Sequence, residues 1–270
     1  MSFYTSLNGL KNAQTDLGVI AHNIANVETL GFKKSTTTFA DVVASSAQTD
    51  PRMVKGVGAT LEGITQNFTL GPIEQTGGSL DVAITGDGFF TMVSADSGKT
   101  LYTRNGSFSV DDPGFITDGS NNRLQVFPTD ASGTITSTTP IDAQIAPVNG
   151  AGAEYSGVTV SSDGTVTASY GDGSKTIVGK IALASFLSPT GLKQVGSSNW
   201  ESTGISGAAS YGAPSTAQYG SLLSGALERS NVDIAEELVG LITAQRNFQA
   251  NAKAIDTATQ IAQTVINLRT

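Results

Sequence analysis

The sequence of 270 residues contains no cysteine and a single histidine, His22. No disulfide, cysteine-ligated metal or thiolate nucleophile can therefore form. Without a second histidine, His22 cannot complete a common zinc site, and no Ser/His/Asp triad is supported. We therefore expect His22 to lie on a surface or at an interface. We expect no catalytic site, no metal and no cofactor, so that an enzyme is the least expected class of protein.

Positive charge is also scarce, since 15 Lys and Arg residues stand against 23 Asp and Glu residues, for a net charge of −8. Binding to nucleic acid through a basic patch is not expected of such a chain. No apolar run approaches the ~18–20 residues that a membrane span needs, which predicts no membrane insertion. Residues 1–10 lack the basic start and the apolar core of a cleaved signal peptide, so none is expected.

Proline is missing from both ends of the chain, because all eight prolines lie between Pro51 and Pro214. Both terminal segments, residues 2–27 and 231–268, can therefore form unbroken helices. Apolar or small residues recur in both segments at alternating steps of three and four, which is a heptad seam. The seam residues are Phe3, Leu7, Leu10, Gln14, Leu17, Ala21 and Ile24 in the first segment, and Leu238, Leu241, Gln245, Phe248, Ala252, Ile255, Thr259, Ala262 and Ile266 in the second.

The seams predict helices that pack between copies of the chain, which makes the seam residues a candidate subunit interface. The second helix would be ~55 Å long, longer than the middle of the chain could cover. Each large seam residue removed from water contributes ~1.5–3 kcal/mol, and the seams hold few of them, so one isolated pair would be weak. Gly9 and Gly18 weaken the first helix by up to ~1 kcal/mol each. A helix pair within one monomer is the alternative.

The middle of the chain has a different period. From about residue 64 to 186 apolar residues alternate with a period of two, as at Leu80, Val82 and Ile84. Pairs of Asp or Asn followed by Gly interrupt these stretches, and such pairs favour tight hairpins. They lie at Asp87-Gly88, Asn105-Gly106, Asp118-Gly119, Asp163-Gly164 and Asp172-Gly173. Short strands with frequent turns indicate an antiparallel sandwich or barrel, with residues 179–186 among its last strands.

The predicted fold is therefore α+β and mainly β. A coiled-coil-like pair of N- and C-terminal helices carries an antiparallel, sandwich-like or barrel-like β-domain inserted between them. The expected boundaries are residues 1–34 with 228–270 for the helical domain and residues 80–187 for the β-domain. Residues 35–79 and 188–227 are expected to be extended linkers, since Gly, Ser and Pro are frequent there.

Other candidate sites have simpler explanations. Residues 86–90 look like a glycine-rich phosphate loop, but the lysine and the following helix are missing, so a hairpin turn is predicted. The adjacent acids Asp111 and Asp112 lack the twelve-residue loop of a calcium site, which favours a solvated turn. Trp200, the only tryptophan, is expected to plug the edge of the β-domain instead of binding a ligand.

Several segments resemble the bacterial flagellar axial proteins, the rod and hook family. The run NIANVETLGF at residues 23–32 is similar to the N-terminal signature of that family. DVAITGDGFF at residues 81–90 and YTRNGSFSVD at residues 102–111 resemble the start of its β-domain. The end of the chain, from residue 224 onwards, is similar to the C-terminal helix of flagellar hook proteins. The residues that carry the N-terminal motif are Asn23, Ala25, Asn26, Gly31 and Phe32.

The resemblance implies a structural role in a helical homopolymer. The terminal helices would form the inner layer of a hollow tube, and the β-domain would form the next shell. It also implies export by the flagellar type III apparatus without a cleaved signal. The implied partners are other axial proteins, of the rod and of the hook–filament junction, and the hook cap. The implied location is the hook or basal body, outside the cell after export.

The resemblance is compatible with two members of the family, a hook subunit and a distal rod subunit. Residues 1–4 and 244–255 are hook-like, and so is the end of the chain, whereas the length leaves little room for the outer domain that common hook proteins insert. The compact plan resembles the distal rod proteins. We therefore expect a short hook subunit that transmits motor torque, with a distal rod subunit as the alternative. A monomeric surface adhesin is a remote alternative, which would need an exposed aromatic cluster and would leave the seams unused.

Overall fold

The computed structural model describes residues 2–44, 55–216 and 218–267. Contacts between Cα atoms divide the chain into two compact units. The first, here called the helical unit, comprises Met1–Val27, Lys34–Asn67 and Val232–Thr270. The second, here called the β-unit, comprises Glu28–Lys33 and Phe68–Asn231. These bounds differ from the expected ones, because both segments expected to be linkers are parts of folded units.

The helical unit contains two helices and a hairpin. Helix α1 spans Ser2–Ala25 and helix α2 spans Ile234–Asn267. Strands β1, Ser35–Ala44, and β2, Lys55–Gln66, pair in antiparallel fashion. Helix α1 packs against α2 and against the hairpin. The expectation that the two ends of the chain form paired helices is therefore confirmed.

The hairpin corrects the expectation of an extended linker over residues 35–79. β1 is rich in Thr and Val, which favour strands. Of the glycines in the second strand, which suggested a loop, Gly58 is needed for its backbone conformation and not for a chain break. Gly58 has a φ of +135°, and a Cβ atom built on it would lie 3.5 Å from Nδ2 of Asn8 on α1. Pro51, which also suggested that this segment has no regular secondary structure, lies outside the described residues.

The β-unit is built from short strands, and the described pairings among them are antiparallel. Strands β3 to β10 span Ile73–Gln75, Val82–Thr85, Phe89–Ser94, Thr100–Thr103, Ser109–Val110, Ile116–Thr117, Asn122–Phe127 and Ile141–Asp142. Strands β11 to β19 span Tyr155–Val160, Thr165–Tyr170, Lys175–Ile181, Leu183–Ser185, Lys193–Gly196, Asn199–Glu201, Ser210–Gly212, Ser221–Ser224 and Ala226–Glu228. The main sheet has the order β11-β12-β13-β9-β5-β6-β16-β15, which confirms a mainly β, α+β fold.

Turn chemistry predicted some of the hairpins and not others. The pairs at residues 118–119, 163–164 and 172–173 join strands that are neighbours in the sheet. Asp87-Gly88 and Asn105-Gly106 do not, because β4 pairs with β18, and β6 pairs with β5 and β16. Val82, Ala83 and Ile84 on β4 are all completely buried, so packing of both faces decides the partner of this strand.

Five strands follow the segment that was expected to end the β-domain. Residues 188–227, expected as a linker, contain β15 to β19. Each has only three or four residues, which is too short to show a period in the sequence. Three of them pair with strands far away in the chain, as Trp200 of β16 does with Tyr102, Leu222 of β18 with Ile84 and Ala226 of β19 with Gln75.

The core of the β-unit has two parts. The larger is aliphatic and includes Phe90, Met92, Leu124 and Ile181. The smaller is aromatic and surrounds Trp200 on β16, which is completely buried. The Trp200 ring centroid lies 5.5 Å from that of Phe68 and 5.8 Å from that of Phe89. Trp200 is thus a core residue next to the terminal strand β15, in agreement with the packing role expected for it.

The second half of the N-terminal motif lies in the β-unit. Gly31 has a φ of +65°, and a Cβ atom on it would lie 2.5 Å from the backbone nitrogen of Asn105. Its N–H donates to the carbonyl oxygen of Glu228 at 2.9 Å. Phe32 is 3% exposed. A glycine and a buried aromatic ring are therefore needed at these positions by the backbone and by the core.

A buried charge cluster lies beside this motif. Oε1 of Glu228 accepts a hydrogen bond from Nζ of Lys33 at 2.5 Å and another from the N–H of Gly71 at 2.9 Å. Oε2 lies 3.5 Å from Nη1 of Arg104. Burial lowers the pKa of Lys33 below its usual value, and the ion pair with Glu228 opposes that shift. Two cations thus share one carboxylate that is 1% exposed.

This cluster predicts a large and specific effect of Glu228→Gln. The substitution keeps the shape of the side chain but leaves Lys33 without its carboxylate partner and leaves Arg104 with Asp87 alone. Removing one partner of a buried ion pair costs ~3–5 kcal/mol in the free energy of unfolding. Urea unfolding monitored by the fluorescence of Trp200, which lies in the same unit, measures this cost.

The matched control for that experiment is Glu74→Gln. Glu74 pairs with Arg229, and its side chain is 54% exposed. An exposed pair contributes less than ~1 kcal/mol. Equal losses of stability in the two variants would contradict the role assigned to the buried cluster.

Candidate assembly interface

The first half of the N-terminal motif holds the helical unit together through Asn23. This side chain is 1% exposed at the end of α1. Its Nδ2 donates to the carbonyl oxygen of Ser35 at 2.8 Å and to Oε2 of Glu237 at 3.1 Å. Its Oδ1 accepts from the N–H of Ser35 at 3.0 Å. One amide group therefore joins α1, the start of β1 and the first turn of α2.

Lys34 adds an ion pair at the same place. Its Nζ lies 3.0 Å from Oε1 of Glu237 and 3.1 Å from Oε1 of Glu236. Burial lowers the pKa of Lys34, but the hydrogen bonds that Lys34 donates to these carboxylates and their negative charges outweigh that effect and raise the pKa above its usual value. Asp233 caps α2, because its Oδ1 accepts from the N–H of Ala235 at 2.8 Å. The carboxylates of the first turn of α2 therefore both stabilise the helix end and bind the lysine.

Small residues allow α1 and α2 to approach closely. Ala13 is 7% exposed and Ala244 is 1% exposed, which makes them the most buried alanines of the two helices. A Cβ atom on Gly240 would lie 3.5 Å from Cδ1 of Ile20. The contact between the helices thus depends on the absence of bulk as well as on large apolar residues.

The two glycines of α1 have different roles. A Cβ atom on Gly9 would lie 2.5 Å from Oδ1 of Asn251 on α2, so any larger residue would displace that side chain. A Cβ atom on Gly18 would have no neighbour within 4 Å. Gly9 therefore lies in the contact with α2, where a larger residue fits only if the end of the flexible Asn251 side chain moves, whereas Gly18 faces open space and carries only the propensity cost.

The predicted seam residues do not form one buried stripe in a single chain. Leu7, Leu10, Leu17, Ile24, Leu241, Phe248, Ala252 and Ile255 are partly buried. Phe3, Gln14, Ala21, Leu238, Gln245, Thr259, Ala262 and Ile266 are exposed. The face of α2 that packs within the chain includes Glu237, Ala244 and Asn251, which sequence reasoning missed. Small and polar residues carry no hydrophobic signal, and only the i, i+7 spacing of these three could have indicated them.

Apolar side chains of α2 remain exposed in its first turns and in its last turns. They are between 46% and 66% exposed, a range in which aliphatic residues still contact water extensively. They are Ile234, Leu238, Val239, Ile242, Ile261, Val265 and Ile266. The hairpin adds exposed Phe39, Val43 and Ile64. Exposed apolar surface of this extent marks an interaction site, since monomeric proteins rarely leave large apolar patches uncovered.

The remaining motif and candidate residues lie at the surface of α1. His22 and Ala25 are exposed. Nδ2 of Asn26 donates to the carbonyl oxygen of His22 at 2.9 Å. Among the described residues there is no group of three or more His, Cys, Asp or Glu placed to hold a metal ion. None of the described helices combines the length and the hydropathy that crossing a membrane requires.

Three family models match the chain in order. They are the flagella basal body rod protein at residues 3–33, the flagellar hook protein FlgE/F/G D1 domain at residues 83–168, and the flagellar basal body rod FlgEFG protein C-terminal at residues 223–268. The flagellar basal-body rod protein FlgG of Bacillus subtilis is 35% identical over 280 residues, covering 99% of this chain and 98% of that protein. This chain belongs to the flagellar hook and rod protein family.

Other relatives carry both names within the hook and rod family. The basal-body rod protein FlgG of Agrobacterium fabrum is 34% identical over 95% of each chain. The flagellar hook protein FlgE of Escherichia coli is 29% identical over 410 residues, covering 100% of each chain. Members of this family are structural proteins of the flagellum and not enzymes. The chain is therefore an axial structural component of the flagellar hook or basal body, with a role in motility.

The Asn23 network predicts that Asn23→Ala destabilises the helical unit. The change leaves the N–H of Ser35 and one oxygen of Glu237 buried without a hydrogen bond. Each buried group left unsatisfied costs ~1–3 kcal/mol, so we expect a loss of about 2–5 kcal/mol. Helix content followed by circular dichroism during urea unfolding measures it. Asn247→Ala, at an exposed position of α2, is the control and should change little, and equal effects would contradict the network.

Proposed function

We propose that this chain is a subunit of the flagellar hook. Copies polymerise helically into a hollow, flexible tube that transmits motor torque to the filament. The observation that carries the assembly part of this proposal is that α2 leaves apolar side chains exposed in its first and last turns after it has packed on α1. Uncovered apolar surface of this kind needs a second layer to cover it.

The covering layer is provided by neighbouring copies in this proposal. The exposed seam residues Phe3, Leu238 and Ile266, together with Ile242 and Val265, would be buried between subunits. The partly buried seam residues would hold the helix pair within each subunit. Each large aliphatic side chain covered contributes ~1.5–3 kcal/mol, so a few such contacts per neighbour are enough for a stable polymer.

Alignment with hook proteins along the whole chain supports the hook. The alignment with the Escherichia coli hook protein spans 410 residues, which exceeds the length of this chain by 140, so that much of it is an insertion in the hook protein. Outside that insertion, all of this chain aligns with the hook protein. The hook-like ends of the chain, which include residues 244–255, support the same assignment.

A distal rod subunit is the second candidate function. The length favours it, since the rod relatives align from end to end over 280 and 272 residues without a large insertion. A rod subunit would use the same exposed apolar side chains of α2 in a straight drive shaft. The two candidates therefore differ in the position of the tube and in its stiffness, and not in the helix contacts.

The proposed partners follow from the proposed role. Besides its own copies, the subunit would contact other axial proteins, of the rod and of the hook–filament junction, and the hook cap. It would reach its place through the type III export apparatus without a cleaved signal and would end outside the cell. The resemblance of the N-terminal motif and the membership of the family support this part of the proposal.

The assembly contact predicts that Ile242→Asp blocks polymerisation without unfolding the subunit. Ile242 is 49% exposed in the single chain, so a charge there is tolerated until a neighbour covers it. We expect an unchanged urea midpoint and no sedimenting tubes. Phe248→Asp is the contrast, because this partly buried residue faces the interior of the unit, and its replacement should lower helix stability as well. Normal tubes from Ile242→Asp would contradict the proposed interface.

The choice between hook and rod predicts the place of the assembled protein. Labelling of an epitope-tagged chain, visualised by electron microscopy of isolated flagellar basal structures, should mark a curved segment outside the cell envelope. A deletion strain should retain the rod and lack that segment, and should not swim. Label confined to a straight segment within the envelope would favour the distal rod instead.

A further inference from the structure

Two exposed aliphatic side chains in the β-unit stand apart from the rest. Leu187 is 98% exposed and Ile205 is 80% exposed. Among the other large apolar residues that the structure describes as exposed, the highest value is 68%, at Tyr4. Single exposed apolar residues are ordinary on protein surfaces. Two that are almost fully exposed and lie on adjoining segments are not explained by the fold.

The two side chains are held on loops that pack against each other. The N–H of Ser188 donates to the carbonyl oxygen of Ser206 at 3.4 Å. A Cβ atom on Gly191 would lie 2.9 Å from Cγ2 of Ile205. Leu187 and Ile205 therefore project from one fixed loop cluster, and we call them the apolar knob. Holding both in water forgoes the free energy that their burial would contribute.

The same unit contains an open pocket, part of whose lining belongs to the core or packs against it. Its volume is about 380 Å³. Its apolar lining comes from Val110, Ile145, Pro147, Val148 and Tyr155. Val148 is 47% exposed, so the pocket is open to an incoming side chain.

One residue of the pocket lies at one end of the strand order of the main sheet, and the loop that carries the knob leads to the strand at the other end. Tyr155 is the first residue of β11, which begins that order. Leu187 precedes the 3₁₀ turn Pro189–Gly191 that leads into β15, which ends it, and Ile205 follows β16. A protrusion that fits a pocket elsewhere on the same molecule makes a head-to-tail contact. Such contacts repeat from copy to copy and generate open helical assemblies.

Charges near the two features are complementary. Asp112 and Glu154 line the pocket, and both are exposed. Lys193 follows the knob loop on β15 and is exposed as well. No ion pair involving these three side chains occurs among the described residues. Opposite charges at the rims would favour one orientation of two copies over others.

We propose that the apolar knob of one copy inserts into the apolar pocket of the next copy in the polymer. The occupant is thus a second copy of this chain, and the contact joins β-units in addition to the contact made by the helices. This inference rests on the proposed function as a helical polymer. It assigns to Leu187 and Ile205 a role in assembly and none in the folding of the subunit.

The absence of cysteine from the chain makes a direct test possible. Leu187→Cys and Val148→Cys are prepared as separate full-length chains, mixed, assembled and oxidised. Two Cα atoms must lie within about 4.4–6.8 Å for a disulfide to form, so cross-linking reports on the proposed contact. We expect covalent dimers in the mixture and none in either chain alone. Dimers from Leu187→Cys alone would mean that two knobs meet, which overturns the proposal.

The matched control moves the cysteine away from the knob and keeps the cysteine in the pocket. Leu223→Cys, at a 38% exposed leucine of β18, is mixed with Val148→Cys and should give no dimers. Tubes that form in the mixture of Leu187→Cys and Val148→Cys without covalent dimers would overturn the knob contact and leave the proposed function intact. A chain that forms no tube, with or without substitution, would overturn both.

A second variant separates assembly from folding. Leu187→Asp should leave the urea midpoint unchanged, because the side chain is almost fully exposed in the subunit. The critical concentration for polymerisation should rise roughly 10- to 100-fold, the factor that corresponds to losing the burial of one leucine. An unchanged critical concentration would overturn the proposal. Lys193→Glu alone should weaken assembly, because it places like charges at the two rims. Combining Lys193→Glu with Glu154→Lys should restore assembly, because the two charges are then exchanged.

Discussion

The packing of α1 against α2 is the contact on which the helical unit depends. Ala13 and Ala244 allow the two helices to approach, and the amide of Asn23 reaches Glu237, 214 residues further along the chain. Closing so long a loop costs entropy, and the contact at the ends must compensate for it. A fully hydrogen-bonded amide in a buried site adds specificity, because any other register would leave its polar atoms unsatisfied.

The β-unit is also held together by a buried polar contact between residues far apart in the chain. Lys33 and Glu228 are 195 residues apart and form a completely buried ion pair close to where the chain enters and leaves this unit. Buried ion pairs contribute little net stability, but a mispaired one is costly. Gly31 and Phe32 are needed at the same place, by a close backbone contact and by the core. The N-terminal motif is therefore divided between two structural tasks, one in each unit.

The outer surfaces of the two units have the character of assembly surfaces. In the helical unit, α2 leaves apolar side chains uncovered in its first and last turns after packing on α1. In the β-unit, an apolar knob and an apolar pocket lie on different parts of the surface. In the proposed polymer, neighbouring copies cover both. The proposed hook subunit and the alternative rod subunit would use contacts of the same kind.

The sequence by itself determined the helical ends, the mainly β middle and the family, because heptad spacing, the position of the prolines and the N-terminal motif are local signals. It also indicated that Trp200 packs at the edge of the β-domain instead of binding a ligand, and the structure showed that this residue is completely buried. The tertiary structure decided which face of each helix packs within the chain, since Glu237, Ala244 and Asn251 carry no hydrophobic signal. It also decided that residues 35–66 form a hairpin and that β15 to β19 complete the β-unit. Short strands obtain their stability from distant partners, and no local pattern encodes which partner a strand will have.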